Sequence, residues 1–250
     1  MNIPILSRND VPYVTTGQMI EVDRAMMEDY HIELIQMMEN AGRNLADLAR
    51  RRFLSGNPEG RHTVALAGTG GNGGGALVCA RRLHNWGADV HVYTTRPIET
   101  FTGVPAHQLD ILRRMQVPVK PALREPNVND PELVLDGIIG YSLSGAPHGP
   151  SADLIRWAND QAAPVLSLDA PSGVDTTSGN VFNPAVRATA TMTLALPKEG
   201  LKVPGVEDYV GELYLADISV PPELYAESTL ELKVGAVFAQ SDIIRLREQK

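Results

Sequence analysis

The 250-residue chain is 43% hydrophobic and 21% charged, the balance of a globular protein able to bury a full core. Its formal net charge is −8 with acids and bases interspersed, and no Lys/Arg block is long enough to track a phosphate backbone, so nucleic acid is excluded as an expected partner. No apolar run approaches the ~20 residues of a membrane span, the opening Met1–Val14 lacks the order of a secretory leader, and a single cysteine, Cys79, permits no intrachain disulfide. No membrane association and a cytoplasmic location are therefore expected.

In chain order, Thr15 and Gln18 have the spacing of a capping box, and Met19, Val22, Met26 and Tyr30 follow at helical intervals. A second helix is predicted over Glu33–Phe53, with Leu34, Met38, Ala41, Leu45 and Leu48 on one face. The methionines of these two helices are expected in the core. A turn cluster at Gly56–Gly60 closes this helical preface. Strands are then predicted at His62–Ala67, Asp89–Thr94, Leu133–Ile139 and Pro164–Leu168, separated by helices at Gly74–Trp86, Gly103–Met115 and Ser151–Ala162. Such alternation implies a parallel sheet covered by helices on both faces. Thr189–Leu196 and Tyr209–Ala216 read as further strands, and the segment from Pro221 onward carries no clear pattern. No repeat or linker divides the chain, so residues 1–250 are expected to form one domain.

Four segments carry chemistry. In Val64–Gly75 an apolar strand runs into six glycines within eight positions, followed by a helix. Glycine at this density lets a backbone approach a ligand closely, and the free N–H groups of the helix start favour an anion. Gly68, Gly70 and Gly73 match a dinucleotide fingerprint, but the second strand ends in Tyr93-Thr94-Thr95-Arg96 without the acid that fingerprint requires. Arg96 leaves an NADP-dependent dehydrogenase as a minor reading.

The second and third segments each end an apolar strand on an acid: Asp136, followed by the small-residue stretch Gly137–Gly145, and Asp169, followed by Ala170-Pro171-Ser172-Gly173. An acid in such surroundings is costly unless paired or bound to a cation. In a parallel sheet these strand ends share one edge, so Asn72, Asp136, Asp169 and Ser172 are expected to converge. Their oxygens suit K⁺, Mg²⁺ or Ca²⁺, or two carboxyl groups sharing a proton. The six histidines have no ligand spacing, which argues against zinc. The fourth segment ends at Lys198, which the sequence leaves either solvated or aimed at a phosphate.

Taken in order, these segments resemble the NAD(P)H-hydrate epimerase family, also called the YjeF N-terminal domain family. Asn72-Gly73-Gly74 and the helix from Leu77 to Leu83 are similar to its Asn-Asn-Gly-Gly-Asp loop and following helix. Asp136 lies in an Asp-x-x-x-Gly motif, and Asp169–Gly173 matches its Asp-Ile-Pro-Ser-Gly motif. The resemblance extends over nearly the whole chain, including Met38–Gly42 and Pro197-Lys198.

It implies an α/β fold, a three-layer αβα sandwich with a Rossmann-like, mostly parallel sheet and a two-helix N-terminal preface. It also implies an epimerase that interconverts the R and S forms of hydrated NADH and NADPH. Asp169 is implied as the proton-transferring residue. K⁺ is implied on Asn72, Asp136 and Ser172, and substrate on Asn72, Gly73, Gly74, Gly140, Tyr141, Ser142, Leu143, Ser144, Gly145, Ala146 and Asp169. A homodimer is expected, with a separate protein supplying the dehydratase that consumes one epimer. One difference stands out: Gly71 and Gly75 occupy the positions of the family's first Asn and its Asp. The alternative reading is a catalytically impaired nucleotide-binding or scaffolding member.

Overall fold

The computed structural model describes residues 3–122, 126, 128, 130–227 and 229–248. Among these residues nine strands lie in one sheet: β1 (Ile5–Ser7), β2 (His62–Ala67), β3 (Asp89–Thr94), β4 (Val119–Pro121), β5 (Leu133–Gly137), β6 (Val165–Leu168), β7 (Ala190–Leu194), β8 (Glu212–Ala216) and β9 (Ile243–Arg247). Their order is β1-β9-β8-β7-β6-β5-β2-β3-β4. Every pairing is parallel except β8 with β9. The helices are α1 (Thr16–Glu28), α2 (Leu34–Arg52), α3 (Gly71–Asn85), α4 (Gly103–Arg114), α5 (Pro150–Asp160) and the single turns α6 (Glu207–Val210) and α7 (Pro222–Tyr225).

Alternate residues of each central strand feed two cores. On one face Ala65, Val90, Leu135 and Leu166 meet Leu45 and Leu48 of α2, Leu77 and Leu83 of α3 and Leu109 of α4. On the other, Val64, Leu66, Val134 and Val165 meet Ile155 and Trp157 of α5. This double burial makes the strands near-continuous apolar runs and produces the three αβα layers. The capping box forms as the sequence predicts: the Gln18 N–H donates to Thr15 Oγ1 at 3.2 Å, and the Thr15 N–H donates to Gln18 Oε1 at 2.9 Å.

Several boundaries move. The glycine-rich helix begins at Gly71 rather than Gly74, so most of the expected loop is its first turn. The strand expected over Tyr209–Ala216 divides into α6, a turn at Gly211 with φ +62°, and β8. The segment after Pro221 does contain structure. β9 inserts between β1 and β8, its Arg245 guanidinium pairing at 2.8 Å with Glu212 on β8. A short strand carrying two arginines gives little periodic signal, and its partners lie far away in sequence.

Candidate functional site

The carboxyl ends of β2, β5, β6 and β7 meet at one edge of the sheet, the position where ligands bind in open α/β folds. Glycines near that edge serve different purposes. A Cβ on Gly68 would strike the Ile138 carbonyl, and one on Gly73 would strike Gly68 itself, so these two permit a tight strand-to-helix turn. Gly70 and Gly71 are exposed, with Gly70 open on its Cβ side. None of the six adopts a left-handed conformation. Gly70 caps α3 without a side chain, and the Gly74 N–H makes the first helical bond, to Gly70 O at 3.0 Å. The N–H groups just before it lie at the cleft, as an anion site requires.

Gly74 and Gly75 are buried and line neither of the two cavities at this edge. A Cβ on Gly74 would meet the Met38 sulfur, and one on Gly75 would lie 2.6 Å from Leu168 Cδ2 and 3.7 Å from Ala41 Cβ. These glycines let α3 pack closely on α2 and β6. The absent acid at position 75 is therefore no gap in the cleft. Gly75→Asp is expected to overpack this contact and destabilise the protein by about 1–3 kcal/mol, read as a lowered urea midpoint.

Asp136, on β5, is wholly buried. Its Oδ1 accepts from Ser172 Oγ at 2.5 Å and from the Ile138 N–H at 3.2 Å; its Oδ2 accepts from Ser167 Oγ at 2.8 Å and the Ser172 N–H at 2.9 Å. Burial pushes this carboxyl above its ordinary value, and the Ser172 and Ser167 bonds oppose the shift. All four donors are neutral, and among the described residues no ammonium or guanidinium pairs with Asp136. Ser172 Oγ also accepts the Ile139 N–H at 2.9 Å, which ties the loop after β5 to the turn after β6.

Asp169 sits beside this knot in a left-handed conformation, φ +67°. The Ala170 N–H closes a three-residue turn onto Leu168 O at 2.9 Å, and Asn72 Nδ2 donates to the same oxygen at 2.6 Å. Strain of this kind costs about 1–3 kcal/mol and concentrates at functional sites. Lys198 Nζ pairs with Asp169 Oδ1, which also accepts from the Leu194 N–H at 3.2 Å and Thr193 Oγ1 at 3.3 Å. Oδ2 takes part in none of these bonds. Lys198 is itself fully buried, so neither expectation for it holds: it is the counter-charge of Asp169.

Two cavities adjoin here. The first, 540 Å³, is lined by Gly68–Gly73, Thr95, Arg96 and residues 138–148. It contains Asn72, Gly73 and all of Gly140, Tyr141, Ser142, Leu143, Ser144, Gly145 and Ala146, together with His148 and Ser151, which the sequence did not suggest. The second, 410 Å³, is lined by Asp169, Lys198, Asp23 and an apolar wall that includes Met19, Met27, Met37 and Met38. Gly71, Asn72 and Tyr141 border both. Met19, Met37 and Met38 are thus core and cavity wall at once, whereas Met27 is exposed at the rim. Asp136 and Ser172 lie in neither lining. Asp23 was missed, although an acid four residues after Met19 and three before Met26 interrupts the apolar face of α1.

Fold and site together define an αβα sandwich of Rossmann-like architecture, with a glycine-lined cleft opening beside a buried carboxylate–ammonium pair. The chain belongs to the family described as YjeF-related protein N-terminus, whose model matches residues 34–200. It is 42% identical, over 87% of its length and 86% of the relative's, to a protein from Dehalogenimonas lykanthroporepellens named NAD(P)H-hydrate epimerase. A protein of the same name from Truepera radiovictrix is 37% identical over 81% of this chain and 87% of its own. A Salinibacter ruber protein named bifunctional NAD(P)H-hydrate repair enzyme is 35% identical, and there the chain spans only 41% of the relative. The fold superposes on the crystal structure of a yeast protein with a TM-score of 0.80 at 24% identity, covering 94% of this chain and all of that one. No described helix is long and apolar enough to cross a membrane.

Proposed function

We propose that this protein interconverts the R and S forms of hydrated NADH and NADPH, with residues 1–250 acting as one domain. The observation that carries the proposal is Asp169: its hydrogen bonds gather on Oδ1 while it lines an apolar cavity beside a glycine-lined cleft. The cleft, with the α3 N-terminus and Arg96, suits the phosphates. The methionine-walled cavity suits the uncharged hydrated ring. Loss of the hydroxyl at C6 leaves a cation shared with the ring nitrogen, and water returning on the other face inverts the centre. Asp169 is the acid–base group that moves a proton in this exchange.

Asn72, Asp136 and Ser172 supply oxygens of the type a K⁺ ion takes, and the neutral surroundings of the Asp136 carboxylate fit a monovalent cation. Such an ion would supply fixed positive charge that offsets Asp136. Added KCl is therefore expected to raise the melting temperature, as any ligand of the folded state does, and Ser172→Ala to diminish that rise relative to NaCl.

Interconversion of purified epimers, followed chromatographically with and without K⁺, tests the activity. A rate no higher than the uncatalysed one in both salts would sink it. The alternative of an impaired member rested on Gly71 and Gly75: position 75 is closed by packing on Leu168, Gly71 lies exposed at the rim of both cavities, and no observation favours that alternative. The epimer consumed downstream calls for a dehydratase, and relatives named bifunctional repair enzymes support that partnership. The homodimer is what the family resemblance implies, and the cytoplasmic location is what the sequence composition and opening residues lead one to expect.

A further inference from the structure

The epimerisation proposed above must handle water on both faces of one ring, and the cavity contains a second carboxyl group. Asp23 lies on α1, half-buried, and Asp169 at the end of β6, so the two enter the cavity from different walls. Tyr141, which borders both cavities, donates its hydroxyl to Asp23 Oδ2. Arg24, the nearest guanidinium in sequence, is held instead by Glu21 at 2.7 Å and Asp29 at 2.8 Å. We propose that Asp23, oriented by Tyr141, is the acid–base group for one face of the hydrated ring, with Asp169 serving the other.

Burial pushes the Asp23 carboxyl up; the Tyr141 bond and the Lys198 charge pull it down, and the Asp169 charge pushes it up. Asp23 therefore senses the Asp169 charge across the cavity. In one direction, protonated Asp23 gives its proton to the C6 hydroxyl. The C–O bond breaks, its electron pair leaves with water, and the ring nitrogen lone pair forms a C=N bond. Water then attacks C6 from the other face, the C=N pair returns to nitrogen, and the surplus proton passes to Asp169 Oδ2. The reverse crossing restores both groups.

This inference rests on the epimerase assignment, and oxygen-18 exchange separates the two. In H₂¹⁸O, the wild-type protein is expected to interconvert the epimers and label both. Asp23→Asn should lose at least 100-fold in interconversion yet still label one epimer with retained configuration, because Asp169 can expel and re-add water on its own face. Asp169→Asn should label only the other epimer. Tyr141→Phe, which keeps the ring but not the hydroxyl, should lose about tenfold in interconversion and keep labelling on the Asp169 face; this variant decides the matter if Asp23→Asn does not fold. Interconversion by Asp23→Asn within a few-fold of wild type, or loss of labelling in both epimers by a folded Asp23→Asn, overturns the two-face assignment. Failure of the wild-type protein to interconvert or label either epimer overturns the epimerase assignment itself.

Discussion

Replacing Asp169 with asparagine is expected to lower epimer interconversion by about 10²–10⁴-fold, the usual contribution of a positioned acid–base group. The sequence motif alone suggests a variant with an undisturbed fold, but the structure predicts a stability loss as well. Lys198 is fully buried against Asp169, and the substitution leaves its ammonium facing a neutral amide. Removing one partner of a buried pair costs about 3–5 kcal/mol. The asparagine oxygen still accepts a hydrogen bond, which places this variant near the low end. Pairing Asp169→Asn with Lys198→Met should recover stability in urea unfolding without recovering turnover. Return of turnover in the double variant would remove Asp169 from the chemistry.

Lys198→Met alone is expected to be the more damaging to the fold. It strands the Asp169 carboxylate among Thr193, Leu194 and the methionine-walled cavity, at a cost of about 3–5 kcal/mol. It also releases Oδ1 from its firmest partner, so turnover should fall together with stability. A double-mutant cycle over Asp169→Asn and Lys198→Met should therefore be strongly non-additive, the double variant losing less stability than the two single variants combined. Additive losses in urea unfolding would show that the pair contributes nothing as a pair.

Much of this architecture is legible in the sequence, because strands buried on both faces are apolar runs and the intervening helices are amphipathic. The convergence of Asn72, Asp136, Asp169 and Ser172 follows from strand ends sharing an edge. What escaped depends on long-range pairing. β9 owes its place to β1 and β8, and nothing local to Ile243–Arg247 announces either. Lys198 reads as solvated or phosphate-facing because its partner lies 29 residues earlier, beyond any periodic signal. The glycines at 74 and 75 read as ligand-facing positions because sequence does not distinguish approach to a ligand from approach to Met38 or Leu168.

The carbonyl oxygen of Leu168 receives Asn72 from α3 and Ala170 from its own turn. The first of these bonds joins residues 96 apart. A graft of the glycine-rich segment into another αβα protein would therefore arrive without the anchor that aims its amide. The β6 turn moved alone would likewise keep its bent backbone but lose the amide that braces it. The two motifs are portable only as a pair, and only into a sheet in which β2 and β6 stand with a single strand between them.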